Sequence, residues 1–348
     1  MKIDCTIIIP TKNRYKHLSS LLDYYVRENY NGSIFICDSS NSPVNSELKS
    51  RYINSPFEWQ YFYNFGWPWQ VIKNVLPNIV SDYVIFTGDD DYIIVDSLKK
   101  IAEFLDDPKN SKYQGATGHS YLLFSNERTG FDNIVIYDVE MKNENSSLER
   151  VESLLSSYKV PLFSLIRRKT FVKVVDAVDL DSSKWLRSTQ FINDEVLISC
   201  MLVAYGKIAF QNLNFLIRNI HPERNLLLNE PPPLKFYNYA INYFVLQLDI
   251  AISINDVALD AKKPSSIRDS FVEYIYEIEK RRNQIDNKLI TLVPSSITFK
   301  QRLRLIFTQS RFFMFLYIIL RANKLNTIET YSLAKNCYKI YLGMPSYK

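Results

Sequence analysis

Short unbroken apolar runs alternate with stretches of helical period along the first two thirds of the chain. Thr6-Ile7-Ile8-Ile9 is a mostly β-branched run stopped by Pro10. With no polar alternation, it predicts a strand buried on both faces, as in a parallel sheet. A polar loop follows, Thr11-Lys12-Asn13-Arg14, and then Leu18, Leu21, Leu22, Tyr25 and Val26 recur at helical spacing. Asn31-Gly32 closes that helix, and Ile34-Phe35-Ile36-Cys37 predicts a second strand with Asp38 at its carboxyl end. A strand, loop, helix and strand in this order predict a right-handed crossover and a parallel pair.

Trp67-Pro68-Trp69 opens another helix, expected to run to about Asn78. Tyr83-Val84-Ile85-Phe86 is a further strand and ends in Gly88-Asp89-Asp90-Asp91. Asp96 is expected to cap a helix with Leu98, Ile101, Ala102 and Leu105 on its inner face. Weaker strands are expected from Ala116 to Phe124, Ile134 to Val139, Leu162 to Ile166 and Ile208 to Ile217. A helix from about Asn193 to Tyr205 turns Val196, Leu197, Cys200, Met201 and Ala204 inward and stops at Gly206. The fold class is therefore α/β, a mostly parallel sheet flanked by helices. From Leu234 onward the pattern is almost wholly helical, and the boundary falls at Glu230-Pro231-Pro232-Pro233, a stiff run that cannot continue a helix. The boundary divides residues 1–230 from a helical C-terminal region, 231–348.

Composition narrows the function classes. Apolar residues make up 47% of the 348, enough for a substantial core. With only 8 glycines, a phosphate loop built on glycine is disfavoured. The four cysteines, Cys5, Cys37, Cys200 and Cys337, form no CxxC pair, which disfavours a cysteine zinc site. Cys5 and Cys37 lie in apolar runs and are expected as buried thiols in a reducing compartment. Met1-Lys2-Ile3-Asp4 has no signal-peptide pattern, and the longest apolar run, Phe312 to Leu320, has nine residues, too few to span a bilayer. The expected location is the cytoplasm, with the inner face of the cell membrane as the alternative.

The candidate chemistry sits at strand ends. Ligands of open parallel sheets bind at the carboxyl edge, and Thr11 to Arg14, Asp38 and Asp89 to Asp91 all fall there. Three adjacent carboxylates repel one another and raise each other's pKa unless a cation intervenes. Hard oxygen ligands select Mg²⁺ or Mn²⁺, commonly shared with substrate phosphates. The alternative is a solvated acidic turn. Asp38 suits a nucleobase or ribose, or is a simple turn residue. Lys12 and Arg14 suit phosphates, or belong to a solvated loop.

Thr6 to Arg14, Ile34 to Asp38 and Val84 to Asp91, in this order and spacing, resemble the opening strands of family-two glycosyltransferases of the GT-A fold. The resemblance covers roughly Met1 to Arg224 and implies a Rossmann-like catalytic domain. It also implies a nucleotide-sugar donor, UDP-linked by default, bound by Pro10, Thr11, Lys12, Asn13, Arg14, Asp38, Asp89, Asp90 and Arg224. Asp89 and Asp91 would form the metal-binding DxD pair, with Asp91 the more direct ligand, and His221 would complete the Mn²⁺ or Mg²⁺ site. Phe191-Ile192-Asn193-Asp194-Glu195 stands where the family carries its catalytic base. Asn193 replaces the usual Glu, Asp194 takes the base position and Glu195 is second. The order resembles inverting members, of the kind that build bacterial surface polysaccharides such as O-antigen or capsule.

Trp67, Trp69 and His119 are acceptor candidates, with core packing the alternative for the tryptophans. Lys300, Arg302, Arg304, Arg311, Arg321 and Lys324 stand among apolar residues with no acid between them. The stretch 299–325 therefore either packs on the catalytic domain or lies in a membrane interface, where lipid-linked acceptors would be found. A basic face of this kind does not suit specific DNA reading, so no nucleic-acid partner is expected. The rival functions are a sugar-nucleotide pyrophosphorylase, which would carry glycines after the first strand, and a non-catalytic scaffold on a transferase fold.

Overall fold

The computed structural model describes residues 3–43, 45–64, 68–124, 133–136, 143–177, 195–220, 269–270 and 272–273. The expected domain boundary at 231 and the basic stretch 299–325 lie outside these residues. Among the described residues nine strands form one sheet. Its first half is parallel. Cys5–Thr11 (β1) pairs on one side with Ser33–Asp38 (β2) and on the other with Tyr83–Phe86 (β4). Glu58–Tyr63 (β3) adds to β2 as the edge strand.

Pro10 lies inside β1 and does not end it. The reason is local: β4 pairs with β1 only as far as Ile8, so beyond that point β1 has no strand on that side and the missing N–H removes no ladder bond there. Strand β3 was not anticipated. It alternates exposed with half-buried positions along an aromatic run, the pattern of an edge rather than of a buried strand.

The second half of the sheet mixes directions, beyond the mostly parallel sheet expected. Tyr113–Phe124 (β6) runs parallel to Lys207–Ile220 (β9) and antiparallel to Asn133–Ile136 (β7) and Leu165–Arg167 (β8). Strand β8 also closes antiparallel on β4, which joins the two halves. Asp91–Ile93 (β5) pairs antiparallel with β9. At Gly118 a Cβ would come within 2.3 Å of the Leu213 carbonyl oxygen, so only glycine lets β6 and β9 approach at their bulge.

The helices arise from apolar stripes. Tyr15–Arg27 (α1) buries Leu18, Leu21, Leu22 and Tyr25, the positions its helical spacing predicts, while Val26 remains exposed. Asn45–Tyr52 (α2) precedes β3, and Pro68–Val75 (α3) packs on β1 and β2. Val95–Asp106 (α4) starts two residues earlier than Asp96 capping would require. The amides of Ser97 and Leu98 both reach the Ile94 carbonyl, so Asp96 falls within the first turn and does not cap it. Its charge there still favours the positive end of the helix dipole.

Ser147–Ser156 (α5) opens with a capping box between Ser146 and Glu149, and Arg168–Ala177 (α6) follows β8. Leu197–Tyr205 (α7) is buried from Leu197 to Ala204 and packs between α5 and α6. A short helix that is apolar all round has to be a core helix.

The carboxyl end of α7 needs partners for its carbonyls, and one side chain supplies them. Arg150 of α5 is 5% exposed. It donates to Val203 O at 2.6 Å, Ala204 O at 3.0 Å, Glu144 O at 2.8 Å, Asn145 O at 2.9 Å and the Ser147 hydroxyl at 2.9 Å. Arg150→Met fills the volume but strands these acceptors, at about 1–3 kcal/mol for each buried group left unsatisfied. Three of these bonds are buried, so urea unfolding of this variant is expected to show a loss of about 3–5 kcal/mol with far-UV circular dichroism unchanged. A loss below about 0.5 kcal/mol would mean that water replaces the guanidinium.

Candidate active site at the carboxyl edge of the parallel strands

Register fixes the site before any side chain is considered. Thr11 stands opposite Asp38, and Ile8 opposite Phe86, so the ends of β1, β2 and β4 lie side by side. The Thr87 amide donates to the Ile8 carbonyl at 3.0 Å and carries the pairing into the acidic turn. Within the turn the Thr87 hydroxyl donates to Asp91 O at 3.2 Å, and the Asp91 amide to Gly88 O at 3.3 Å. A Cβ on Gly88 would meet Asp90 Oδ1 at 2.9 Å and Asp91 Oδ2 at 3.1 Å, so the glycine leaves room for the carboxylates to turn back over it.

The three carboxylates are buried, with Asp89 2%, Asp90 4% and Asp91 1% exposed. This is not a solvated turn. Buried anions need nearby cations or donors, and they come from two directions. From the β1–α1 loop the Thr11 hydroxyl donates to Asp89 Oδ2 at 2.8 Å. Arg14 spans two residues of the turn, with Nη1 at 2.9 Å from Asp89 Oδ1 and Nη2 at 2.7 Å from Asp90 Oδ2. From β9, Arg218 Nε lies 3.5 Å from Asp91 Oδ2, a Coulombic contact rather than a close hydrogen bond.

Protonation follows this arrangement. Burial raises the Asp89 pKa to about 7, against the opposing charge of Arg14, with Asp90 adding to the rise. For Arg14 burial works against the charge, yet Asp89 and Asp90 outweigh it and hold the guanidinium protonated.

Arg218 was not among the residues expected from the sequence, which pointed to Arg224. The available signal was a single cation in the apolar run Phe215-Leu216-Ile217, since a buried cation requires a buried anion. Its guanidinium also lies 4.4 Å from the Phe163 ring centroid. Phe163 leans on Phe86 at 6.0 Å, and Trp69 stacks on Phe86 at 5.0 Å and 6°. Trp69 is therefore part of an aromatic pile beneath the acidic turn, where it is buried.

The donor set has the right chemistry for a hard divalent cation. As it stands, however, the carboxylate oxygens of Asp89 and Asp90 carry Arg14, and among the described residues no group of three or more Asp, Glu, His or Cys is arranged to hold a metal. The fit is one of chemistry: the three aspartates would supply hard oxygen ligands, and two of them now carry the Arg14 guanidinium. His221, Arg224, Trp67 and Asp194 lie outside the described residues.

Asp38 is fully buried, and both its oxygens accept hydrogen bonds. Oδ1 takes the Ser40 amide at 2.8 Å and Oδ2 the Tyr61 hydroxyl. Its present role is to shape the β2 loop. That loop is fastened to the β1 loop by the Asn13 amide on Ser40 Oγ at 2.7 Å and the Asn41 amide on Asn13 Oδ1 at 2.9 Å. Asn13 has φ of 56°, a left-handed conformation that asparagine tolerates. Pro10 is half-buried, while Lys12 and Asn13 are exposed at the same edge.

Glu195 precedes α7, and its Oε1 is 3.4 Å from the Tyr158 hydroxyl, which also reaches Ser199 Oγ at 3.2 Å. His119 is in a separate group on β6 and β9, with its Nε2 2.7 Å from Asn212 Oδ1 and its ring edge-on to Phe210. Cys5, Cys37 and Cys200 are buried free thiols, and burial pushes each pKa up. No described helix is long and apolar enough to cross a membrane.

No family model and no curated protein matches the sequence. Solved structures do match the fold. TarS 1–349 of S. aureus superposes with a TM-score of 0.50 at 14% identity, over 97% of this chain and 91% of that one. The same protein in complex with UDP-GlcNAc gives 0.53 at 16%, over 97% and 92%. The chain has the fold of the GT-A glycosyltransferases.

The Asp89 shift has a direction that can be measured. A carboxyl whose pKa rises on folding, here from 3.8 to about 7, adds stability below its ordinary pKa and loses it as pH climbs through the raised value. In metal-free buffer the melting temperature is expected to fall between about pH 4 and pH 7. Asp89→Asn should flatten that slope, and an unchanged slope would show that Asp89 is ionised throughout.

Proposed function

We propose that this chain is a glycosyltransferase that moves a sugar from a nucleotide-sugar donor to a hydroxyl of a glycan or lipid-linked acceptor. One observation carries the reading: a buried turn of three aspartates at the carboxyl edge of the parallel strands, joined to the β1 loop by Thr11 and Arg14. Open α/β sheets bind ligands at that edge, and TarS, which shares the fold, has been solved with UDP-GlcNAc. UDP is accordingly the first nucleotide to test, and residues 1–230 are proposed as the catalytic domain.

The chain's own residues divide the work. Lys12 and Arg14, on the loop after β1, neutralise the donor diphosphate. Asp89 and Asp91 would hold a Mn²⁺ or Mg²⁺ ion, with His221 as the proposed third ligand. When bound, that ion supplies positive charge for the departing diphosphate. Asp194 accepts the proton of the acceptor hydroxyl as its oxygen bonds to the anomeric carbon. The bond from that carbon to the diphosphate breaks on the opposite face, giving inversion in one displacement. A carboxylate suits this proton transfer. Asp194 is preferred to Glu195 because it takes the base position in the motif that the sequence resembles.

Melting curves with UDP, GDP, dTDP and CMP, each with Mn²⁺, give the first test. UDP is expected to raise the melting temperature most, and no shift with any of the four would sink the reading. Asp194→Ala is expected to keep the UDP shift and lower sugar transfer by about 10²–10⁴-fold. Full transfer by Asp194→Ala would pass the base role to Glu195.

A further inference from the structure

Arg14 and a divalent ion held by Asp89 and Asp91 would both need the Asp89 carboxylate. Arg14 sits at hydrogen-bond distance from both Asp89 Oδ1 and Asp90 Oδ2. Such an ion would share a carboxylate with the guanidinium, and two cations so placed repel strongly in a water-poor site. The aspartates have little freedom to resolve this, with side chains 3% and 5% exposed and Asp89 also held by Thr11. The loop backbone has little freedom either, since Asn13 is tied to Ser40 and Asn41. The Arg14 side chain is 28% exposed and long, so it alone can leave without moving the loop.

We propose that Arg14 is the resident counter-cation of the aspartate turn, and that it exchanges with the divalent ion only when a diphosphate arrives to take over the guanidinium. Arg14 occupies the two carboxylates in the free protein and keeps the buried charge neutralised. A diphosphate supplies anionic oxygens between guanidinium and ion, so the repulsion becomes two attractions. Metal and nucleotide then bind cooperatively, each raising the affinity of the other by the same factor, as linkage requires. The first half, Arg14 against the ion, stands on the geometry alone. The second half rests on the nucleotide-sugar reading above.

Mn²⁺ binding to the full chain, followed by the loss of the free-ion electron paramagnetic resonance signal with and without UDP, tests both halves. For the unaltered protein, UDP is expected to tighten Mn²⁺ binding by about tenfold or more. Arg14→Gln is expected to bind Mn²⁺ alone about tenfold tighter than the unaltered protein, and UDP should then add less than about threefold. If Arg14→Gln binds Mn²⁺ alone no tighter than the unaltered protein, the counter-cation role is overturned.

Should Arg14→Gln fail to fold by circular dichroism, Arg14→Lys makes the same comparison. Lysine keeps the charge but cannot bridge two carboxylates with a planar fork, so an intermediate tightening of about threefold is expected. No tightening in that variant overturns the role equally. If UDP fails to bind the unaltered protein with or without Mn²⁺, the nucleotide-sugar reading falls and takes the coupling with it. The comparison made with Mn²⁺ alone still judges Arg14.

Discussion

The contact between Arg14 and the pair Asp89 and Asp90 is the constraint from which the rest of the site follows. It joins the loop after the first strand to the turn after the fourth, two segments 76 residues apart in the chain. Three carboxylates this deeply buried would destabilise the fold without a cation beside them. Arg14 therefore has a structural task in the free protein, whatever it does with a ligand. Thr11 adds a neutral donor to the same carboxylate, and the loop that carries both residues is pinned to the second strand through Asn13.

The opposite side of the turn is supported differently. Arg218 approaches Asp91 from β9 and rests on Phe163, which continues through Phe86 to Trp69. Aromatic burial and a cation on a ring face make a stiff floor. The acidic turn is thus held between a floor belonging to the core and a loop whose side chains partly face solvent. Such an arrangement suits chemistry in which the carboxylates stay fixed and their counter-ions change.

Some site residues have settled roles in the free protein that differ from those a sequence suggests. Asp38 is buried beneath Tyr61 and Ser40. Glu195 meets Tyr158, and His119 meets Asn212. Among the described site residues at that edge, Lys12, Asn13 and the outer part of Arg14 are the accessible ones, all from one loop. Two of the three are cations, the charge a diphosphate would seek.

The sequence by itself determined the strands that build the site. β4 spans Tyr83 to Phe86 as its apolar run requires, and β1 and β2 lie parallel as a short β-loop-α-β unit dictates. The aspartates at the edge were equally legible, because a strand period fixes which residues end a strand. The edge strand β3 was not legible, since its half-exposed aromatics follow neither a buried-strand nor a helical pattern. Nor was the antiparallel closure of β8 on β4, which depends on pairing across a long stretch of chain. Only the tertiary structure decided that Arg14 lies on two carboxylates, that Arg218 is the cation of Asp91 and that Trp69 belongs to the core. Periodicity is a local property, whereas the partner of a buried charge is chosen by whichever distant segment the fold brings within reach.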